Sequence, residues 1–258
     1  MARVLVILPT LGQRRDLLRQ ALESIVAQGD IARCVVVAPT LATDARELVA
    51  SFGMECVSDP ARGISAAVNA GLAAREGEEF YAWLGDDDLF RPGALRTLAT
   101  VLDHAPKAVL AFGACDYVLE DGRVIATNRA GRYARWVLSF GPDLIPHPGT
   151  MVRLTELMAA GGFDEDLRYT LDLDLFLTLK KQGPFARTTD TVSAFRWHPD
   201  SLTVADRAGS SREAIRVKKR HLPAALRPFH GLWNYPVAWL SSFAASQLNR
   251  RARRLGGQ

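Results

Sequence analysis

The sequence predicts an α/β fold: an open, mostly parallel sheet with helices on both faces. Two observations predict it. Through the first hundred residues, short apolar runs rich in β-branched residues alternate with helical stripes, and several runs stop at proline or at acids. The chain of 258 residues is 48% hydrophobic and 23% charged, close to the globular average. That allows one large domain or two small ones with a buried core, and it excludes collagen-like, mucin-like and wholly disordered chains.

Val4–Leu8 reads as a buried parallel strand, stopped by Pro9. Leu17, Leu18, Ala21, Leu22, Ile25 and Val26 form the stripe of a helix over Arg14–Gln28, which Gly29 ends. Cys34–Ala38 is the second strand, ended by Pro39, and Thr43 is placed to cap a helix over Asp44–Ser51. Met54–Val57 is a third strand and Ile64–Ala74 a third helix, with Gly63 at its entrance. Phe80–Leu84 is a fourth strand running into Gly85-Asp86-Asp87-Asp88, and Pro92 opens a helix to about Asp103. In such sheets ligands bind at the carboxyl ends of the strands. Pro9-Thr10, Asp59 and the Asp86–Asp88 triplet lie at three of those ends.

The second half is less regular. Val109–Phe112 and Tyr117–Leu119 read as strands, and Asp121-Gly122 turns the chain into a returning strand at Val124–Ala126. Leu154–Ala160 and Leu173–Lys180 are short helices, the second stopped by Gly183-Pro184. Thr191–Trp197 is a strand leading into His198-Pro199. The expected organisation is a body over 1–205, in halves 1–113 and 114–205, and a basic, aromatic extension over 206–258.

Charge is unevenly spread. From Arg207 to the end there are eleven Lys or Arg against Glu213 alone, a local +10, so residues 1–206 carry −6 of the net +4. Such a tail suits an anionic surface, membrane or nucleic acid. Phe229, Leu232, Trp233, Tyr235, Val237, Trp239, Leu240, Phe243 and Leu248 make residues 229–248 aromatic and apolar. The stretch is too polar to span a bilayer and reads as an interfacial segment, or else as a helix closing the core or a dimer contact. No recognition motif accompanies the charge, so nucleic acid is not expected. Cys34, Cys56 and Cys115 have no metal-ligand spacing and read as free thiols in a reducing compartment. Val4–Leu8 is too short for a secretory signal. The expected location is cytoplasmic, at the inner face of the membrane if the tail binds lipid.

Three adjacent carboxylates at a strand end repel one another unless a cation or many hydrogen bonds compensate. Their hard oxygens suit Mg²⁺ or Mn²⁺. A solvated turn capping a helix is the structural alternative.

Four segments together resemble the inverting GT-A glycosyltransferases of the family-2 type. They are Val6-Ile-Leu-Pro-Thr10; Asp59-Pro-Ala-Arg-Gly-Ile-Ser-Ala-Ala-Val-Asn-Ala-Gly71; Leu84-Gly-Asp-Asp-Asp88; and Gly161-Gly-Phe-Asp-Glu165 with Leu171-Asp-Leu-Asp-Leu-Phe176. The likeness covers roughly residues 3–205. It implies a GT-A fold and transfer of a hexosyl or deoxyhexosyl group from a nucleoside-diphosphate-sugar to a glycan or lipid-linked hydroxyl. By this resemblance Asp88 is the first metal ligand, with Asp86 and His198 beside it. Asp86 and Asp87 contact the metal through water or hold the ribose and sugar. Pro9, Thr10, Arg14, Asp59, Arg62 and Asn69 line the donor, Asp172 is the base, and His147 and Asp174 border the acceptor. Gly85 stands where many members have an acid. Leu171 does likewise, leaving Asp172 without its usual neighbour, and Val37-Ala-Pro-Thr40 lacks the acids that usually grip base and ribose. Asp174, two residues beyond Asp172, also reads as a helix-start acid. The rival readings are a non-catalytic nucleotide-sugar-binding scaffold and a nucleotidyltransferase, for which Thr10-Leu-Gly-Gln-Arg-Arg15 is a faint phosphate loop.

Overall fold

A computed structural model describes residues 2–197 and 206–256. Nine strands form one sheet in the order β3-β2-β1-β4-β8-β6-β9-β5, with β7 paired to β6. Their ranges are β1 Val4–Pro9, β2 Ala32–Ala38, β3 Glu55–Ser58, β4 Phe80–Trp83, β5 Leu89–Phe90, β6 Leu110–Val118, β7 Val124–Asn128, β8 Thr150–Arg153 and β9 Phe185–Arg196. Six strands run one way; β5, β7 and β8 run against them.

The helices are α1 Arg15–Val26, α2 Thr43–Ser51, α3 Ile64–Ala73, α4 Ala94–His104, α5 Ala134–Val137, α6 Leu154–Ala159, α7 Leu171–Gln182, α8 Arg207–His221 and α9 Gly231–Gly256. Alternate residues of each central strand bury on opposite faces. Val4, Val6, Leu8, Phe80 and Ala82 pack with Leu18, Leu22, Leu48 and Leu98 of α1, α2 and α4. Leu5, Ile7, Tyr81 and Trp83 pack with Val68, Leu157, Phe176 and Val217 of α3, α6, α7 and α8. Both faces are therefore covered, which is why these strands read as continuous apolar runs.

The expected elements of the first half all form, with small shifts. Thr43 lies inside α2 rather than capping it, and Ala42 takes the cap position with no side-chain bond. The turn at Pro92-Gly93 precedes α4, which starts at Ala94. In the second half the two expected strands at 109–119 are one, β6. The apparent break is Gly113, where a Cβ would lie 2.7 Å from a Val192 methyl and 2.9 Å from the Asp190 carbonyl. β6 and β9 approach too closely there for a side chain, and their register shifts at that point. β9 is longer than expected, and α7 begins two residues earlier, at Leu171.

Cys34, Cys56 and Cys115 are all free. Burial pushes the Cys34 and Cys115 thiols up to about 12. Among the described residues, no helix is long and apolar enough to cross a membrane.

Candidate active site

β4 ends at Trp83, and the chain then turns through Gly85 into the three aspartates. The turn is tight: Asp88 N–H donates to the Gly85 carbonyl at 3.2 Å. A Cβ on Gly85 would lie 2.9 Å from one Asp88 carboxylate oxygen and 3.0 Å from one of Asp87. An acid at this position would crowd the carboxylates that follow it.

Each aspartate is held differently. Thr10 Oγ1 donates to Asp86 at 2.6 Å, and the Gly12 N–H donates to Thr10 Oγ1 at 2.9 Å. Arg14 spans two acids, with Nη2 2.8 Å from Asp86 Oδ1 and Nη1 2.7 Å from Asp87 Oδ2. Asp88 is only 3% exposed and accepts the Arg196 backbone N–H at 3.1 Å. Desolvation, then the like charges of Asp87 and Asp86, push its carboxyl well above the usual range. Desolvation also raises Asp86, against the pull of Thr10 and Arg14.

Arg196 is a buried guanidinium that the sequence reading missed. It is 1% exposed and donates to the Asp87 carbonyl, the Glu120 carbonyl and Gln20 Oε1 at 2.9, 2.5 and 2.9 Å. It fastens the aspartate turn to α1, to the end of the β6–β7 hairpin and to β9.

Asp172 lies in the first turn of α7, where its Oδ1 accepts the Leu173 N–H at 2.8 Å. Burial pushes its carboxyl up to about 6, and the charge of Glu213 adds to the push. Desolvation and the like charge of Asp172 together push Asp143 upward as well. Asp143 is exposed overall, so water moderates its shift. Neither Asp143 nor Glu213 was expected at the site. Glu213, on α8, accepts the N–H groups of Arg168, Tyr169 and Thr170 at 3.1, 2.7 and 2.8 Å, and the Thr170 hydroxyl at 2.9 Å. These donors outweigh desolvation and lower its carboxyl.

Asp174 points away from this cluster. Its Oδ1 meets Arg220 Nη2 at 2.6 Å and His221 Nε2 at 2.5 Å, which ties α7 to α8. It serves as a strut between helices, in line with the helix-start reading.

His147 is not at the surface of the acceptor side. It is a buried aromatic, stacked on Trp83 at 4.7 Å and edge-on to Phe176 at 6.0 Å. Burial lowers its imidazole to about 3, so it is neutral, and its Nε2 has no partner among the described residues. By bridging Trp83 and Phe176, the ring sets the start of α7 beside the end of β4.

The remaining candidates make other contacts. The Thr10 and Asp59 N–H groups donate to the Val37 and Ala38 carbonyls at 2.9 and 3.0 Å, so the ends of β1, β2 and β3 lie side by side. Asp59 Oδ1 closes a local turn through the Ala61 N–H at 2.8 Å. Arg62 pairs with Glu165 at 2.8 Å. Asn69 joins α3 to the Gly161–Glu165 segment, donating to the Phe163 carbonyl at 2.8 Å and accepting its N–H at 3.0 Å. His198 lies outside the described residues. Among those described, no three His, Cys, Asp or Glu side chains are arranged to hold a metal. The triplet still fits a hard cation by its chemistry, as oxygen donors crowded at close quarters with one buried carboxyl pushed toward protonation.

The family model described as Glycosyl transferase family 2 matches residues 5–159. The chain belongs to glycosyl transferase family 2. The match runs from β1 through α6 and includes the aspartate triplet. It stops before Asp172. No curated protein sequence matches this glycosyltransferase. Among solved structures it is similar to S. aureus TarS 1–349 in complex with UDP-GlcNAc. That match has a TM-score of 0.68 at 15% identity and covers 88% of this chain and 69% of that one. It is also similar to the mannosyltransferase PcManGT from Pyrobaculum calidifontis in complex with GDP-Man and Mn²⁺. There the TM-score is 0.65 at 18% identity, over 95% of this chain and 75% of that one. At such identities the likeness establishes the GT-A fold.

Proposed function

We propose that this glycosyltransferase moves a sugar, with inversion, from a nucleoside-diphosphate-sugar to a hydroxyl acceptor and requires a divalent cation. One observation carries the reading. His147 stacks on Trp83 at the end of β4 and meets Phe176 of α7 edge-on, which supports a cleft shared by the aspartates after β4 and Asp172 in the first turn of α7.

Asp172 is the base. It takes the acceptor O–H proton as that oxygen attacks the anomeric carbon from the face opposite the phosphate. The bond from that carbon to the phosphate oxygen breaks, and the nucleoside diphosphate leaves with the electron pair. Asp88 and Asp86, with His198, would hold Mg²⁺ or Mn²⁺. When bound, the ion neutralises charge on the departing diphosphate. Arg14 pairs with Asp86 and Asp87, while the Arg196 guanidinium bonds two backbone carbonyls and Gln20 rather than the carboxylates, so the triplet keeps a net negative charge when ionised. A divalent ion would reverse that sign and favour an anionic donor. Thr10, Arg14, Asp59, Arg62 and Asn69 line the donor side. The Mn²⁺ and GDP-Man of the Pyrobaculum enzyme and the UDP-GlcNAc of TarS support a nucleotide-sugar and a metal here.

The test incubates the protein with a panel of donors and Mn²⁺ and follows nucleoside diphosphate release. Asp88→Ala is expected to abolish turnover. Asp172→Asn is expected to abolish transfer while donor binding persists. Unchanged transfer by Asp172→Asn would remove the base assignment. Donor binding without turnover across many acceptors would leave a scaffold, and release of pyrophosphate would identify a nucleotidyltransferase.

A further inference from the structure

Ten large apolar side chains stand exposed in two stretches far apart in sequence. Tyr133, Trp136, Phe140 and Leu144 are 60%, 65%, 44% and 36% exposed around α5. Phe229, Leu232, Tyr235, Trp239, Leu240 and Phe243 are 51–75% exposed on and just before α9. The two stretches adjoin, because Phe140 packs edge-on to Trp233 at 5.5 Å. On α9, positions 232, 235, 239, 240 and 243 fall on one stripe of the helix, while the buried Asn234 faces the body. A soluble monomer rarely exposes so large a contiguous apolar surface without a use for it.

The charge around the patch decides what covers it. Residues 129–144 contain three arginines and one acid, Asp143, and residues 224–258 contain five arginines and no acid. Arg132 and Arg135 lie over the Tyr133 and Trp136 rings at 4.8 and 5.3 Å. Aromatic rings that seat in the headgroup layer, bordered by cations that outnumber the single acid, match an anionic bilayer surface. A second copy of the chain would bring the same cations face to face.

We propose that this two-part face, α5 with its following loop and the outer stripe of α9, docks the protein on an anionic lipid surface. The face reaches the candidate site through its own loop. Between Phe140 and Leu144 lie Gly141, whose carbonyl accepts Lys218 Nζ of α8, and Asp143, whose carboxyl feels the charge of Asp172. If the Asp172 reading holds, the acceptor would come from the membrane side. Docking itself does not depend on that reading.

The test floats the full chain with phosphatidylcholine vesicles, with and without phosphatidylglycerol. Binding is expected only to the anionic vesicles and is expected to weaken at high salt. The triple variant Trp136→Ser, Trp239→Ser, Phe243→Ser should bind at least about tenfold more weakly. So should replacement of Arg250, Arg251, Arg253 and Arg254 by Gln. Circular dichroism of each variant checks that the fold is kept. Failure of the wild-type chain to float with anionic vesicles would overturn the proposal. So would equal binding by the folded triple variant, or a wild-type dimer that the triple variant dissolves. Loss of transfer with normal flotation would count against the glycosyl-transfer mechanism alone.

Discussion

Asp172 and Arg196 show how single buried charges set the behaviour of the site. The Asp172 carboxyl ionises at about 6, above its ordinary 3.8. On the proposal that Asp172 is the base, it must be ionised to act, so the transfer rate is expected to rise with pH around a midpoint near that value. A pH–rate profile at saturating donor checks it. The same shift acts on stability with the opposite sense. The folded state holds the proton more tightly than the unfolded chain, so stability falls as pH rises from about 4 to about 6 and stays reduced above. Asp172→Asn should therefore stabilise the protein at pH 7 by about 1–3 kcal/mol, a gain that vanishes below about pH 4. Urea unfolding at both pH values measures it. Arg196→Met should cost about 1–3 kcal/mol, because it removes the donor from the Asp87 and Glu120 carbonyls and from Gln20 Oε1 and so unfastens the aspartate turn. Urea unfolding at pH 7 reads this loss. Of these two residues the sequence reached only Asp172, through its place after Gly161-Gly-Phe-Asp-Glu165. An arginine in a strand carries no local mark that its partners lie up to 176 positions away.

At the level of elements, α7 depends on α8. The N–H groups leading into α7 find their acceptor in Glu213 rather than in a neighbouring cap. Glu213→Gln places an amide N–H₂ against some of those donors. It is expected to destabilise the protein by about 1–3 kcal/mol and to lower kcat more than it changes the donor KM. It should also move the acid limb of the pH–rate profile downward, since the Glu213 charge raises Asp172. Urea unfolding checks the first, and steady-state kinetics across pH check the other two. The elements most plainly legible in the sequence are those with a one-sided pattern or a full apolar run, β1, β2, β4, α1 and α4, while β3, α2, α3, β7, α6, α7 and β9 are legible with shifted ends. β8 was not legible because it is four residues long and its partners, β4 and β6, are distant in sequence. α8 was hidden by its own polarity. Its contacts with α7 are ion pairs and a carboxylate cap, and such pairs leave no apolar stripe to read.

For the whole molecule, the extension beyond residue 205 divides into a part the body needs and a part it can lose. Val217 and Leu222 are 1% and 3% exposed, and α8 supplies Glu213, Lys218, Arg220 and His221 to the site's surroundings. A chain ending at 205 is expected not to reach a cooperative fold. One ending at 223 should fold and bind donor with Mn²⁺, yet no longer float with anionic vesicles. Thermal unfolding followed by circular dichroism distinguishes the two. β8 sets the mechanics of the whole. It is hydrogen-bonded to β4 on one side and β6 on the other, so the first four strands and β6 form one continuous plate. Among the described residues, no break in the hydrogen bonding separates these strands. A sheet so joined resists relative motion of β4 and β6, so if the proposed transfer needs a movement over the sugar, segments outside the sheet would supply it.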